Sequence, residues 1–248
     1  MKENEMIFGI RAIIEAIQAD KEIDKIIIKH DMQGEPAKEL FALLRERPHI
    51  PVQRVPMERI NRYTRKNHQG AIAFISQTTY QKIEDIVPFL FENGKNPFLI
   101  LLDGITDVRN FGAIARSCEC AGVDAIIIPV KGGTPVNADA IKTSAGALHT
   151  VPVCKENNLT NVVKFLKNSG IHIVAATEKA SKDYTKANLS EPVAIVMGAE
   201  DIGVSPDILR LCDEMVKIPI KGKISSLNVS VATGILLYET VRQRMNER

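Results

Sequence analysis

The chain has 248 residues, of which 45% are hydrophobic and 25% are charged, and these values are ordinary for a globular protein. The length is sufficient for one large or two small domains with well-buried cores. The net charge is only +2, which excludes a strongly basic field over the whole molecule, so any affinity for nucleic acid must come from a local patch.

The four cysteines do not form a pattern typical of a metal site. They show no C-x-x-C spacing and no nearby histidine pair, and Cys118 and Cys120 fall inside a helical pattern. We therefore expect unpaired, buried thiols in a reducing compartment and no metal. The first residues are polar and charged, and no apolar stretch approaches the length of a membrane span. We expect a soluble, cytoplasmic protein with no membrane contact.

The first predicted unit covers residues 1–76 and has the pattern of a small α/β domain. The predicted elements are a helix at Ile10–Ile17, a strand at Lys25–His30, a helix at Pro36–Arg47, and strands at Val52–Val55 and Ala71–Ile75. Residues 77–96 follow as a predicted linker, because they are polar and rich in Pro, Asn and Gly around one short apolar helical pattern.

The second predicted unit covers residues 97–248. Its predicted strands are Phe98–Asp103, Ala125–Pro129, Ile171–Thr177, Val193–Met197 and Glu214–Ile218. Helical stretches separate most of these strands, which predicts an α/β domain with a mostly parallel sheet. We predict that Asn110 caps a helix ending at Gly122, that Ser205 and Pro206 begin another, and that a last helix runs from about Leu227 to Arg244.

Three loop segments each follow a run of Ile, Val or Leu and lead into a helix-like stretch. They are residues 103–116 (DGITDVRNFGAIAR), 195–203 (IVMGAEDIG) and 218–230 (IPIKGKISSLNVS). Functional residues of α/β proteins lie at such junctions, beyond the carboxyl ends of strands. Together the segments closely resemble the three signature motifs of the SpoU family of RNA ribose methyltransferases. Within that family they most resemble the RlmB-type branch, which acts on large-subunit ribosomal RNA.

This resemblance implies a fold, a reaction and partners. It implies a C-terminal SPOUT-type α/β domain that contains a trefoil knot, which periodicity alone never predicts. A small N-terminal α/β domain that binds RNA is also implied. The reaction is methyl transfer from S-adenosylmethionine to a ribose 2'-hydroxyl, most simply on a guanosine of ribosomal RNA. The family works as a homodimer with the final helix at the interface.

The resemblance also implies which residues hold the cofactor. The backbones around Gly198, Ile218 and Leu227 hold the adenine and methionine parts of S-adenosylmethionine, with Thr177 and Met197 close by. A glycine at position 198 also lets the backbone approach a ligand closely. The alternatives are ordinary turn chemistry for the glycine and core packing for Ile218 and Leu227.

Four polar residues, Asn110, Arg116, Glu200 and Asn228, match the family's polar motif positions. Methyl transfer needs in-line positioning and assistance in removing the hydroxyl proton. An arginine stays protonated in proteins, so we expect Arg116 to grip a phosphate or polarise the hydroxyl. Family analogy also allows it as the proton acceptor, and the sequence leaves both roles open. Asn110 and Asn228 are expected to orient the ribose or the loop backbones, and Glu200 to hold Arg116 or a base amino group. Taken singly, each residue has an alternative as a helix cap or a surface ion pair.

A basic patch at residues 54–70 is the best candidate for RNA binding. It holds five Arg or Lys residues against one Glu. We expect RNA contacts from Arg54, Arg62, Arg65 and His68, and Tyr63 and His68 have rings able to stack on an unpaired base. A solvated helix face is the alternative. Lysines near the motif loops would extend the surface around the site: Lys131, Lys142, Lys221 and Lys223.

Other functions are less consistent with the motifs. No G-x-G-x-x-G follows the strand at Phe98–Asp103 and no G-x-x-x-x-G-K-[ST] occurs, which argues against dinucleotide and P-loop enzymes. A non-catalytic RNA-binding or ribosome-assembly protein and a transfer-RNA 2'-O-methyltransferase remain as alternatives. In the second motif Asp201 replaces a glycine that the family often has, while Gly203 is kept, so we expect no loss of activity.

Overall fold

A computed structural model describes residues 6–246, which form two compact units. The first unit contains the described residues up to Thr79 together with Pro135–Asn137. The second contains Tyr80–Thr134 and the described residues from Ala138 onward. The first has a small mixed sheet and the second a parallel sheet with helices, which confirms the predicted fold class.

The described residues of the first unit form four strands and three helices. The strands are β1 (Met6–Phe8), β2 (Ile23–Lys29), β3 (Val52–Val55) and β4 (Ala71–Ile75), and the helices are α1 (Ile10–Gln18), α2 (Glu35–Glu46) and α3 (Met57–Asn61). The sheet order is β1-β4-β2-β3. Strand β4 is antiparallel to β1 and β2, whereas β2 and β3 are parallel.

Both faces of the first unit's sheet are covered. Ile26 and Ile28 pack with the buried face of α1, whereas Ile27 packs on the opposite side with Ile60 and Ile72. Successive side chains of a strand point to opposite faces, so an uninterrupted Ile run in β2 supplies both cores.

The second unit has seven strands. They are β5 (Phe98–Asp103), β6 (Ala125–Pro129), β7 (Val153–Glu156), β8 (His172–Ala176), β9 (Lys182–Asp183), β10 (Val193–Gly198) and β11 (Glu214–Lys217). Their order is β7-β6-β5-β10-β8-β11-β9. Every neighbouring pair of described strands in this sheet is parallel.

Six α-helices accompany this sheet in the described part of the second unit. They are α4 (Ile83–Glu92), α5 (Val108–Ala121), α6 (Ala138–Thr143), α7 (Leu159–Asn168), α8 (Pro206–Leu209) and α9 (Val229–Asn246). Helix α5 ends at Ala121 and is capped by Gly122, which agrees with the predicted helix end. Gly122 has the left-handed conformation, with φ 75°. Among the described residues, the helices are too short or too polar to cross a membrane.

The strand order determines where the three motif loops lie. The central strands β5 and β10 pair in parallel register, so that Gly198 lies opposite Asp103. Strands β8 and β11 continue on the other side of β10. Because the carboxyl ends of parallel strands meet at one edge of the sheet, all three motif loops leave from the same edge.

Candidate active site

Glu200 lies at the centre of a polar cluster formed by Asn110, Glu200 and Asn228, one residue from each motif. The Asn228 side-chain amide donates to Glu200 Oε1 at 2.7 Å and to Asn110 Oδ1 at 2.9 Å. The Asn110 amide donates to the same Glu200 oxygen at 3.2 Å, and the backbone N–H of Val229 does so at 3.1 Å. A single carboxylate oxygen therefore joins the first and third motif loops, and three of the four predicted polar residues meet.

Two aspartates that the motif comparison did not single out hold the loops in place. The side chain of Asp107 accepts a hydrogen bond from the Asn110 N–H at 2.8 Å, so Asp107 is the N-cap of α5. The prediction that Asn110 caps this helix was wrong, and its side chain is free to join the polar cluster. Asp103 Oδ2 accepts from the Ser205 N–H at 2.7 Å and ties the first motif to the start of α8. An aspartate just before a helical pattern is a capping signal that a sequence shows, so the role of Asp107 could have been predicted. The bond from Ser205 to Asp103 joins residues far apart in the chain, and no sequence signal indicates it.

The second motif loop folds back on the end of its own strand. Gly203, with φ 75°, donates its N–H to the carbonyl of Ala199 at 2.8 Å. A Cβ atom placed on Gly198 would lie 2.0 Å from the carbonyl carbon of Gly203 and 2.1 Å from the nitrogen of Val204. No side chain fits there, so a glycine at position 198 is required by the close approach of two backbone segments.

The residues expected to hold the cofactor come from three adjacent strands. Met197 is buried near the end of β10, Thr177 follows β8 and bonds to the carbonyl of Val216 in β11, and Ile218 follows β11. Leu227 lies in the third loop with 38% of its surface exposed. Thr177, Met197 and Ile218 thus lie at or just beyond the carboxyl ends of neighbouring parallel strands, the sheet edge from which the glycine turn also leaves. Apolar side chains and loop backbone at such an edge are the groups that a bound adenosine and methionine need.

Arg116 is the predicted polar residue that does not join the polar cluster. Its exposed side chain lies six residues after Asn110 on α5, about 240° around the helix and about 9 Å along it. Among the described residues it forms no ion pair, and the hydrogen bonds of Glu200 go to Asn110, Asn228 and Val229 instead. The expected contact between Glu200 and Arg116 is therefore not present.

The basic patch presents its arginines to solvent. The side chains of Arg62 and Arg65 are exposed, and that of Arg54 lies 5.3 Å from the ring of Phe41, where it makes a cation–π contact. Tyr63 packs edge-on against Phe74 with ring centroids 5.5 Å apart. The ring of Tyr63 therefore packs partly inside the first unit, and the arginines carry the exposed positive charge.

His68 has a different position from the one that RNA stacking requires. Only 7% of the residue is exposed. Its Nδ1 accepts the N–H of Gly70 at 3.1 Å, which leaves Nε2 to donate to Asn61 Oδ1 at 2.9 Å. Both ring nitrogens are thus engaged, and the neutral ring supports the loop before β4. The expectation that His68 stacks on an unpaired base does not agree with this burial.

The cysteines are free thiols in different environments. Cys118 is fully buried, and burial raises the pKa of its thiol far above the ordinary value. Burial, reinforced by Glu156 and Glu84, raises the pKa of Cys154 to about 12. Cys120 is exposed, contrary to the expectation that all four thiols are buried. In the part of the chain that the structure describes, no three His, Cys, Asp or Glu residues are grouped to hold a metal ion.

Comparison with known proteins agrees with this geometry. The profile of the SpoU rRNA Methylase family matches residues 97–238, and that of RNA 2'-O ribose methyltransferase substrate binding matches residues 6–81. The chain is 37% identical over 248 residues to the 23S rRNA (guanosine-2'-O-)-methyltransferase RlmB of Vibrio vulnificus, covering 98% of each chain.

Two solved structures extend the comparison. An AdoMet-bound rRNA methyltransferase from Sinorhizobium meliloti has 26% identity and a TM-score of 0.61, with 96% of this chain and 87% of that chain covered. The A. aeolicus TrmH/SpoU tRNA modifying enzyme has 30% identity and a TM-score of 0.55, but covers only 66% of this chain and 85% of its own. This protein belongs to the SpoU rRNA methylase family and is an RNA 2'-O-ribose methyltransferase that uses S-adenosylmethionine.

Proposed function

We propose that this enzyme methylates the ribose 2'-hydroxyl of a guanosine in large-subunit ribosomal RNA. The observation that carries the proposal is the polar cluster, in which Asn110, Glu200 and Asn228 join at the sheet edge from which the three motif loops leave. The Vibrio relative, similar over nearly the whole chain, acts on a guanosine of 23S rRNA and supports the choice of target.

The residues of the site divide into cofactor and substrate groups. When bound, S-adenosylmethionine supplies an activated methyl group, and Thr177, Met197, Gly198, Ile218 and Leu227 hold it at the carboxyl ends of β8, β10 and β11. The polar cluster fixes the first and third loops relative to each other, so that an incoming ribose meets a rigid edge. Much of the catalytic advantage of such a site comes from positioning of this kind.

Arg116 supplies a positive charge that acts on the target nucleotide. Its guanidinium is exposed on α5, outside the polar cluster, where it is able to grip a phosphate or polarise the 2'-hydroxyl. Replacement of Arg116 by Ala is expected to abolish methylation while S-adenosylmethionine binding stays within about twofold. Wild-type turnover in that variant would remove Arg116 from the mechanism.

The enzyme acts as a homodimer through α9. Three large apolar side chains on this helix are exposed: Val231 at 52%, Tyr238 at 53% and Met245 at 69%. Each is seven residues from the next, so they lie along one face of the helix. Tyr238→Glu should convert the dimer to a monomer in size-exclusion chromatography with light scattering. A monomeric wild-type protein would contradict the assignment.

The two parts of the chain have different tasks. Residues 1–76 select the RNA through the exposed Arg54, Arg62 and Arg65, and residues 97–248 carry out the methyl transfer. The expected linker, residues 77–96, contains α4, whose Ile83, Val87 and Leu90 belong to the hydrophobic core of the second unit. A ribosomal RNA substrate supports a cytoplasmic location for the enzyme. The substrate-binding family match at residues 6–81 supports this division of tasks.

Transfer RNA is the second candidate substrate. The A. aeolicus tRNA modifying enzyme resembles this chain with 30% identity, which favours the same chemistry on a transfer RNA. That resemblance covers only 66% of this chain, the share expected for a relative that has no counterpart of the first unit. The additional first unit therefore favours ribosomal RNA.

An in vitro assay separates the two substrates. Purified protein and S-adenosylmethionine labelled in the methyl group are incubated separately with 23S rRNA, 16S rRNA and total transfer RNA, all from cells that lack the protein. We expect label in 23S rRNA alone, at a single guanosine, and none with the Arg116→Ala variant. Label in transfer RNA alone would overturn the target and retain the chemistry.

A further inference from the structure

A polar cavity of about 600 Å³ opens beside the first motif loop, within the second unit. Its walls are formed by the residues that lead into α5 and by one side of α6: Thr106, Asp107, Val108, Arg109, Asp139, Lys142 and Thr143. Arg109 directly precedes Asn110 of the polar cluster. The cavity, here called the side pocket, therefore adjoins the polar cluster. It shares no residue with the set expected to hold the cofactor, which is Thr177, Met197, Gly198, Ile218 and Leu227.

The position of α6 follows from a close contact with α5. A Cβ atom placed on Gly112 would lie 2.6 Å from the Thr143 Cβ and 2.9 Å from the carbonyl oxygen of Ala140. The absence of a side chain at position 112 lets the two helices touch. This contact fixes α6 beside the start of α5, and Arg109, Asp139 and Lys142 line the same cavity.

The charges of the side pocket select the kind of ligand. Its lining has two cations, Arg109 and Lys142, and two carboxylates, Asp107 and Asp139. A phosphate would be repelled by the carboxylates, so the net charge of zero disfavours a phosphate subsite. Asp107 already accepts the N–H of Asn110 as the cap of α5, which leaves Asp139 as the carboxylate available to a ligand.

A guanine base matches this arrangement of donors and acceptors. Its O6 and N7 atoms accept hydrogen bonds, and Arg and Lys are their usual partners. Its N1–H and 2-amino group donate, and a carboxylate is their natural acceptor. Adenine lacks the O6 acceptor and the N1–H and 2-amino donors. Enzymes that modify nucleotides commonly place an unstacked base in a pocket and contact its Watson–Crick edge.

We propose that the side pocket binds the base of the target guanosine, with Asp139 accepting from N1–H and the 2-amino group and with Arg109 and Lys142 donating to O6 and N7. The proposal rests on the proposed methylation of ribosomal RNA and adds the residues that select guanosine. These residues determine specificity and bind the base, while the polar cluster and Arg116 act at the ribose.

The test uses the full-length enzyme and unmodified 23S rRNA assembled by ligation with guanosine, inosine or adenosine at the mapped target. Inosine keeps O6 and N7 but lacks the 2-amino group. The variants are Asp139→Asn, Lys142→Ala and Arg109→Ala. Asp85→Asn serves as control for Asp139, since both lie in the first turn of a helix, and Lys164→Ala serves as control for Lys142. Both control residues are exposed and distant in sequence from the motifs.

The expected results separate base recognition from chemistry. Wild-type kcat/KM should fall about 10- to 100-fold from guanosine to inosine, and further with adenosine. Asp139→Asn should lose a similar factor on guanosine and show no additional loss on inosine, with S-adenosylmethionine affinity unchanged. Lys142→Ala and Arg109→Ala should mainly raise KM. The two controls should behave as wild type.

Two other outcomes have distinct meanings. If Asp139→Asn keeps the wild-type preference for guanosine over inosine, the side pocket does not read the base and the inference is overturned. If wild-type enzyme does not methylate the guanosine-containing 23S rRNA at all, the proposed ribosomal target is wrong, and the inference fails together with it.

Discussion

Replacement of Gly198 by Ala is the most informative perturbation of the cofactor site. The added Cβ would lie 2.0 Å from the Gly203 carbonyl carbon and 2.1 Å from the Val204 nitrogen, both backbone atoms. Carbon atoms in contact are separated by about 3.5 Å, so the loop after Gly198 would have to move by roughly 1.5 Å. That loop carries Glu200, the acceptor that joins the polar cluster.

The size of the effect follows from this displacement. A misplacement of about 1 Å can cost about 100-fold in rate when catalysis depends on positioning. We therefore expect kcat/KM for Gly198→Ala to fall at least about 100-fold, which corresponds to about 2.7 kcal/mol of transition-state stabilisation. The affinity for S-adenosylmethionine should fall as well, because the displaced backbone includes Gly198, one of the residues proposed to hold the cofactor.

Three measurements on the same preparation check this prediction. They are kcat/KM for methyl transfer, S-adenosylmethionine affinity by calorimetry, and Tm with far-ultraviolet circular dichroism to establish that the variant is folded. The control is Gly234→Ala in α9, where an added Cβ meets only the Ser117 Oγ at an ordinary 3.9 Å. A folded Gly198→Ala enzyme with wild-type affinity and turnover would refute the close-approach argument.

Three further predictions concern other parts of the chain. Arg62→Glu combined with Arg65→Glu should weaken RNA binding and reduce the log–log salt slope by about 1.4 to 1.8, and an unchanged slope would make the basic patch a solvated face. At pH 8, mass spectrometry after iodoacetamide treatment should find Cys120 alkylated first and Cys118 unreactive until unfolding, because burial raises the Cys118 pKa. A hydrogen bond from Arg242 lowers the pKa of Glu239, so this carboxylate stabilises the fold at neutral pH. The Tm advantage of wild type over Glu239→Gln should therefore shrink as the pH falls below about 4.5, and a constant difference would contradict this.

Long apolar runs made most of the parallel sheet predictable. The strands at Phe98–Asp103 and Ala125–Pro129 have the predicted bounds, because buried parallel strands read as continuous Ile, Leu and Val segments. The strand Met6–Phe8 and the helix Met57–Asn61 were missed. The first has three residues and exists through pairing with β4, and the second is a single turn and a half within a highly charged segment.

The sequence named the polar residues of the candidate site but not their contacts. Motif positions identified Asn110, Glu200 and Asn228, but the shared oxygen of Glu200 joins residues 90 and 28 positions away, and no local pattern encodes those pairs. Tertiary burial likewise decided the environment of His68, since a lone histidine in a basic loop fits either an exposed or an internal role. The knot expected from the family has no signal in hydrophobic periodicity at all.

The most direct test of the central claim is a map of 2'-O-methyl groups on total RNA from cells with and without this protein. The account predicts the loss of one mark, at a guanosine of large-subunit ribosomal RNA, and its return when the wild-type protein but not Arg116→Ala is supplied. A mark lost only from transfer RNA, or no mark lost anywhere, would contradict the account.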